Sequence, residues 1–221
     1  MTGASDRPTY TVRRAPDFGF GEPGPRPWME VPALAVEHYL WLANGYAPRV
    51  EAKLCWSEKF LYAKFRVGEK RVRVRYTKFQ DPVYKDSCVE FFIDAFPTKG
   101  LGYVNFETNA AGTLLAAFGP DRAHRRPLWP EDLAGFAVES LIPGPVEGEY
   151  GAAEWTLEYR VPLALFEKLY GQAIGPGHRA AANFYKCGDE TETPHYGAWS
   201  PVRTPSPDFH RPEFFGEIVF A

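Results

Sequence analysis

The sequence predicts an all-β protein, an antiparallel β-sandwich with one short helix. Three observations carry this. Segment after segment alternates apolar and polar residues with period two. Gly and Pro, 20 and 21 of the 221 residues, are scattered along the chain as many turns require, not gathered in one tract. Helical spacing of apolar residues appears only after Pro162. Hydrophobic residues make up 45%, enough for a sizeable core. No period repeats, which argues against a propeller. No break in composition divides the chain, so one domain is expected over residues 9–221, after a disordered lead at residues 1–8.

Taken in order, Thr9 to Arg14 reads as an edge strand. Ala15 to Pro27, rich in Gly and Pro, reads as irregular, and Trp28 to Trp41 as a loop with short extended pieces. Val50 to Trp56 alternates strictly, with Val50, Ala52, Leu54 and Trp56 on one side. Ser57-Glu-Lys59 turns the chain. Phe60 to Val67 returns with Leu61, Ala63, Phe65 and Val67 inward, which makes a hairpin. Val72 to Tyr76 continues the sheet. The basic run Lys70 to Arg75 alternates charge with Val and reads as a half-buried strand with a solvated basic face.

The stretch Asp81 to Asp94 organises the rest. Asp81-Pro82 favours a turn, because Pro82 has no N–H for a ladder. Beyond it, Val89, Phe91 and Ile93 share one face, while Cys88, Glu90, Phe92 and Asp94 share the other. The first face belongs to a core. The second, with two carboxylates beside a large aromatic, suits a groove. Tyr84 sits on the irregular lead into this strand, where binding groups are often placed.

Gly102 to Asn109 is the next strand, with Tyr103, Asn105, Glu107 and Asn109 on one face. Thr113 to Phe118 pairs back after a turn at Ala110-Ala-Gly112. Phe136 to Ile142 and Glu154 to Val161 add two strands. Pro162 opens the helix, near Leu163–Tyr170, with Leu165, Phe166 and Leu169 as its apolar face and Gly171 as its end. Arg179 to Cys187 is a strand, Gly188 to Pro194 an acidic loop, and Phe214 to Phe220 the closing strand.

Net charge is −3 and the isoelectric point about 6.0, so no surplus of Lys and Arg is available for phosphates and no nucleic-acid partner is expected. No apolar run approaches the roughly 18 residues of a membrane span, so no membrane partner is expected either. The three cysteines, Cys55, Cys88 and Cys187, show no CxxC spacing and form no complete disulfide framework. The N-terminal residues lack the apolar stretch of a secretory signal. A soluble, reduced, cytoplasmic protein is the expectation, unless an export segment precedes this chain.

The order of motifs resembles the family 9 carbohydrate-binding modules, within the DOMON-like β-sandwiches of jelly-roll or immunoglobulin-like build. The residues concerned are Leu54-Cys-Trp-Ser-Glu-Lys-Phe-Leu-Tyr62, Val89-Glu-Phe-Phe-Ile-Asp94 and Phe106-Glu-Thr-Asn109, then Ala182-Asn-Phe-Tyr-Lys186, Trp199-Ser-Pro201 and Phe214-Phe-Gly-Glu-Ile-Val-Phe220. Together they cover residues 28–221. The resemblance implies a mono- or oligosaccharide held between two aromatic rings, without catalysis. Counting back from the Val89–Asp94 strand puts Tyr84 at one ring position, and Trp199 matches the other. The family's Arg-x-Asn pair falls on Glu107 and Asn109, so a carboxylate replaces a cation. A further polar position falls near Asn183 to Lys186, with Lys186 the candidate. Members often carry structural calcium, whose ligands have no assignment here; no other cofactor is implied.

Each candidate has a plainer reading. Trp199 can cover a core edge, Tyr84 can be a turn aromatic, and the polar face at Glu107 and Asn109 can be solvated. A sugar-active enzyme using Glu90 or Glu107 is the alternative function. Glu90 and Asp94, four apart on one strand face, stand roughly 13 Å apart, too far for a retaining pair of carboxylates. A haem-binding DOMON protein needs axial ligands, commonly Met and His, and only Met1 and Met29 are available. Of the histidines, His195 and His210 stand near Trp199 in sequence, with Arg211 beside them, as possible ligand contacts.

Overall fold

The computed structural model describes residues 7–21, 24–69, 71–149 and 154–221. The expected disordered lead lies outside the described residues except for Arg7 and Pro8. These two are tied down: Arg7 donates to the Glu213 carbonyl, and the Pro8 carbonyl accepts from the Glu217 N–H.

The strands in chain order are β1 (Thr9–Arg14), β2 (Leu34–Ala35), β3 (Arg49–Trp56), β4 (Phe60–Gly68) and β5 (Arg71–Val74). Next come β6 (Cys88–Asp94), β7 (Tyr103–Asn109), β8 (Leu114–Gly119), β9 (Arg126–Pro127) and β10 (Ala137–Ser140). The last are β11 (Val146–Glu149), β12 (Trp155–Pro162), β13 (Arg179–Cys187), β14 (Tyr196–Ala198) and β15 (Gly216–Phe220). Helix α1 (Leu163–Tyr170) follows β12. Local chemistry sets these bounds. The Ser57 hydroxyl accepts from the Lys59 and Phe60 N–H groups and closes the β3–β4 turn. Helix α1 begins after Pro162, which has no N–H to waste, and ends at Gly171, whose φ of 67° suits a residue without a Cβ.

Two layers result. One runs β10-β12-β4-β3, with β2 also on β3; the other runs β15-β13-β6-β7-β8-β9, with β14 on β13. Their facing residues form one core. Leu54, Ala63, Phe65 and Tyr159 come from the first layer, and Phe91, Phe106 and Phe184 from the second. Phe65 meets Phe184 with ring centres 6.2 Å apart, and Tyr159 meets Phe106 at 6.3 Å. The β-sandwich read from the alternation is therefore the fold. No helix among the described residues is long and apolar enough to cross a membrane.

Strand β1 is not an edge. Thr9–Val12 pair in parallel with Glu217–Phe220 of β15, while Arg13 and Arg14 pair in parallel with Cys55 and Trp56 of β3. It joins the two layers and departs from the otherwise antiparallel pairing. Thr9, Thr11, Arg13 and Arg14 project outward and give the sequence the look of an edge, while Tyr10 and Val12 turn inward. Strand β5 does not continue the main sheet; it pairs with β11 in a separate ribbon. Nor is its basic face fully solvated, since Arg73 is buried between Asp86 and Glu190, at 2.8 and 2.7 Å.

Both faces of the second layer are covered. Its outward residues Phe92, Tyr103 and Tyr185 pack against Val202, Phe209 and Phe215 of the chain that follows β14. Phe209 stacks on Tyr185 at 4.0 Å, and the Tyr185 hydroxyl donates to the Phe209 carbonyl. This cover leaves one opening over β6, β7 and β13.

Candidate functional site

The opening is a pocket of about 210 Å³. Its floor is Glu90 from β6, Glu107 from β7 and Cys187 at the end of β13. Sheet register brings them together. Glu90 is directly opposite Glu107, and Cys187 directly opposite Cys88, so all four side chains project from the same face. Tyr84, Asp189 and Tyr196 form one wall; Arg122, Arg125 and the segment Pro207–His210 form the other. A wider hollow of about 590 Å³ beside Arg14 and Lys59 exposes its ionisable groups to solvent. Here the carboxylates of the floor are buried, which is the usual mark of a binding or reacting site.

Each wall is fixed by its own bonds. Tyr84 lies on the 3-10 turn Val83–Lys85. Asp86, just after it, is fully buried and accepts from the Arg75 and Tyr76 N–H groups, from Asn109 and from Arg73. The loop after β13 hangs on the same turn: Asp189 N–H donates to the Tyr84 carbonyl and Glu190 N–H to the Lys85 carbonyl, both at 3.1 Å. On the far wall Arg122 bridges to Asp208 at 2.8 Å, and His210 Nδ1 bonds the Tyr103 hydroxyl at 2.8 Å.

The electrostatics of the floor are unusual. Glu107 accepts from Asn105 at 3.1 Å and from Arg125 at 3.3 Å. Burial raises its pKa to about 7, against the lowering pull of Arg125. Glu90 is pushed well above the ordinary carboxylate range, by burial first and by the charge of Glu107 second. Among the described residues its hydrogen-bond donor is the Cys187 thiol, 3.0 Å away. His210 is driven down to about 2 by burial and by Arg125, so it stays neutral beside Glu107. Burial raises Asp189 to about 6. The pocket thus offers acceptors, donors and carboxyls able to hold a proton near neutrality, between aromatic walls.

Of the residues expected at the site, Tyr84 and Glu107 line this pocket; Trp199, Asn109 and Lys186 do not. Trp199 belongs to the core between the layers, edge-on to Phe184 at 5.6 Å, while Tyr84 packs in the outer cluster. The two rings therefore belong to different clusters of the fold. Trp199 is placed by its N–H bond to the Phe184 carbonyl and by Gly216, where an added Cβ would stand 2.6 Å from the indole. Asn109 has the right face but is fully engaged. It donates to the Tyr76 carbonyl and to Asp86, and accepts from the Ala111 and Thr113 N–H groups.

Lys186 is on the opposite face of β13, alongside Phe184, and is completely buried. Its ammonium lies 3.3 Å from Glu69 and donates to His195 Nε2 at 2.7 Å and to the Cys187 carbonyl at 2.9 Å. His195, driven down to about 3 by burial and by Lys186, accepts at Nε2 while its Nδ1–H donates to the Thr193 carbonyl. Of the possible histidine contacts, His210 reaches the pocket and His195 does not. The residues not foreseen, Arg122, Arg125, Asp189, Tyr196 and Phe209, come mostly from irregular loops without a period. Glu90 is visible on its strand face in the sequence, but its partner is Glu107 across the ladder and not Asp94.

Structural calcium would need six to eight oxygen ligands. Among the described residues, the grouping of three or more potential side-chain ligands is Cys88, Glu90 and Cys187. Two sulfurs and one carboxylate do not fit calcium.

Comparison with known proteins gives a consistent outcome. The model of carbohydrate-binding family 9 matches residues 28–220. A crystal structure of a candidate carbohydrate-binding protein from Bacteroides uniformis superposes with a TM-score of 0.82 at 28% identity, over 97% of this chain and 100% of that one. A family 9 module from Caldicellulosiruptor kristjanssonii, in complex with glucose, superposes with a TM-score of 0.64 at 15% identity, over 97% of this chain and 96% of that one. The same module type with cellotriose gives 0.62 at 14% identity, over 96% and 93%. At that identity these last two show the shared fold alone. No curated protein matches the sequence.

Proposed function

The chain belongs to carbohydrate-binding family 9, and from that premise we propose that it binds a mono- or oligosaccharide, without chemistry of its own, in the pocket floored by Glu90 and Glu107. The observation that carries this is the meeting of Tyr84 and Tyr196 with Glu107 and Arg125 in one pocket. A pyranose needs both kinds of surface. Its C–H faces pack on aromatic rings, and its hydroxyls need paired donors and acceptors. Glu107 accepts from hydroxyls, Arg125 and Arg122 donate to ring or hydroxyl oxygens, and Asp189 and Asp208 add acceptors. The pocket's about 210 Å³ is small beside the roughly 300–1,000 Å³ of pockets for drug-sized ligands. One sugar ring, or the end of a chain, suits it better than an extended strand. Glucose and cellotriose, held in the two Caldicellulosiruptor module structures, are the first sugars to titrate by calorimetry, followed by a glycan array. Absence of binding across the array, or binding that survives both Tyr84→Ala and Glu107→Ala unchanged, defeats the proposal.

Glycoside hydrolysis is the second reading, and one observation favours it. Glu90 and Glu107 are cross-strand partners in the same pocket. Directly opposed residues place their Cβ atoms about 4.5–5.5 Å apart, compatible with the close carboxyl pair of a retaining glycosidase. Glu90 would be the proton donor and Glu107 the nucleophile. Turnover of aryl glycosides or oligosaccharides that disappears in Glu90→Gln would establish it; binding without turnover leaves the module reading standing.

A further inference from the structure

Below the sugar-sized opening the floor carries chemistry that carbohydrate recognition does not use. Cys88 and Cys187 are directly opposed on β6 and β13, and Glu90 follows Cys88 by two positions on the same face. The two sulfurs and a carboxylate oxygen all lie within 4.8 Å of one another. All three side chains are buried. They come from three points on two paired strands at the centre of a sheet, so the constellation is rigid. The third cysteine, Cys55, is buried among Trp28, Val31 and Tyr62, away from this group.

Left to themselves these groups are poorly matched. Glu90 has a thiol for its hydrogen-bond donor, and among the described residues no ion pair. A buried carboxyl without a cation is costly when ionised. The thiols themselves make weak S–H bonds: Cys88 to the Val89 carbonyl at 3.6 Å, and Cys187 to Glu90 at 3.0 Å with the Tyr84 carbonyl a second acceptor at 3.6 Å. The arrangement lacks a positive centre.

We propose that Cys88, Cys187 and Glu90 form a site for a soft divalent cation, zinc by its chemistry, with the fourth coordination position opening into the pocket. Thiolate pairs select zinc over the hard cations. In a tetrahedral centre with bonds of about 2.3 Å the ligand atoms stand roughly 3.8 Å apart; the present separations are at most 4.8 Å, and the Cys187–Glu90 pair, at 3.0 Å, would have to open by a fraction of an ångström on binding. Binding releases the two thiol protons, and the Glu90 proton where it is held. The metal and its three anionic ligands then carry one net negative charge. Arg125, on the pocket wall, is shared between this charge and its ion-pair partner Glu107. Cys187 and Glu90 line the pocket while Cys88 lies beneath them, so the open position faces upward, to water or to a ligand oxygen. The site would be of the three-ligand, open kind, and not the closed four-ligand kind. It does not depend on which sugar the pocket takes, or on whether it takes one.

The test uses the full chain, reduced and stripped of metal by a chelator, titrated anaerobically with cobalt(II) and then with zinc. The expected result is a near-ultraviolet thiolate-to-cobalt charge-transfer band that saturates at one equivalent per chain. Zinc bleaches it, and release of two to three protons accompanies the titration. Cys88→Ser and Cys187→Ser each abolish the band, whereas Cys55→Ser keeps it. Thermal unfolding of each variant reports whether it is folded, and the wild-type titration stands by itself if a variant is not. No charge-transfer band in the folded, reduced wild type overturns the proposal. So does a band that persists in the Cys88→Ser/Cys187→Ser double variant. Sugar titrations run on metal-free protein keep failure of this site distinct from failure of the sugar site.

Discussion

Glu90 and Glu107 stand directly opposite each other on adjacent strands and turn their carboxyls into one pocket. Two like charges so placed, away from bulk water, disfavour each other's ionisation. Arg125 bonds Glu107. The pair is thereby divided: Glu107 is the one that ionises first and accepts, and Glu90 the one that keeps its proton and can donate.

This division has a pH signature in stability. Burial raises Glu107 from 4.5 to about 7 in the folded chain. Between those values the folded state holds a proton that the unfolded state has lost, so stability falls as pH rises through the window. The unfolding free energy of the wild type minus that of Glu107→Gln should therefore decline from about pH 4.5 to about pH 7 and be flat on either side. Urea denaturation of both proteins at several pH values measures it. A difference that stays constant, or that rises with pH, would mean Glu107 ionises as if exposed.

Tyr84 and Trp199 should part company under mutation. Tyr84→Ala removes a wall of the pocket without opening the core. Buried aromatic anchors in binding sites are worth about 2 kcal/mol or more, so sugar affinity should fall roughly thirtyfold while thermal unfolding barely moves. Trp199→Ala leaves a hole between the layers and should destabilise by about 3–5 kcal/mol. Calorimetric titration and thermal melts on the two variants decide this; a Trp199→Ala protein of wild-type stability that no longer binds would restore the indole to the ligand.

Glu107→Gln should alter which sugars bind more than how tightly the best one does. A carboxylate accepts from two hydroxyls, whereas an amide accepts at one atom and donates at the other. A glycan array of both proteins reads this directly, and a uniform loss across all sugars would count against a selecting role.

Lys186→Met should destabilise by about 3–5 kcal/mol, the usual cost of leaving one partner of a buried ion pair alone. The partner is Glu69, 3.3 Å away and equally buried. Adding Glu69→Gln should recover much of the loss. If the single variant unfolds like wild type, the ammonium is not held as described. Sugar affinity of the folded single variant should be unchanged, because Lys186 lies outside the pocket.

Most of the framework is legible in the sequence, because alternation is a strong signal over six or more residues. The inward faces of β3, β4, β6, β7 and β12 read directly from it, and α1 falls on Leu163–Tyr170 as expected. The site is legible only where it rides on that alternation, at Glu107 and Glu90, or beside a turn, at Tyr84. Lys186 is a case where charge misleads and the period does not. It shares a face with Ala182 and Phe184, so counting by two puts it inside the sandwich. A charged side chain suggests solvent, and Glu69, distant in sequence, is what allows it inside. Trp199 follows an irregular segment, where no period tells which side the ring takes; its backbone bond to Phe184 and the bare Cα of Gly216 settle that. Arg122, Arg125 and Phe209 reach the pocket through loops whose paths depend on tertiary partners such as Asp208 and Tyr185.

Strand β1 has a bearing on how the chain reaches this state. Its first half pairs with Glu217–Phe220 and its second with Cys55 and Trp56. The β3–β4 hairpin can zip locally, within microseconds for such units. The seam between the layers cannot, since it closes a loop of nearly the whole chain and meets the full entropic cost of doing so. Folding should therefore run from independent hairpins to a late stitching of the two layers by β1. Amides of β15 should gain protection from hydrogen exchange after those of β3 and β4, and trimming residues 9–14 should slow the final phase rather than the first.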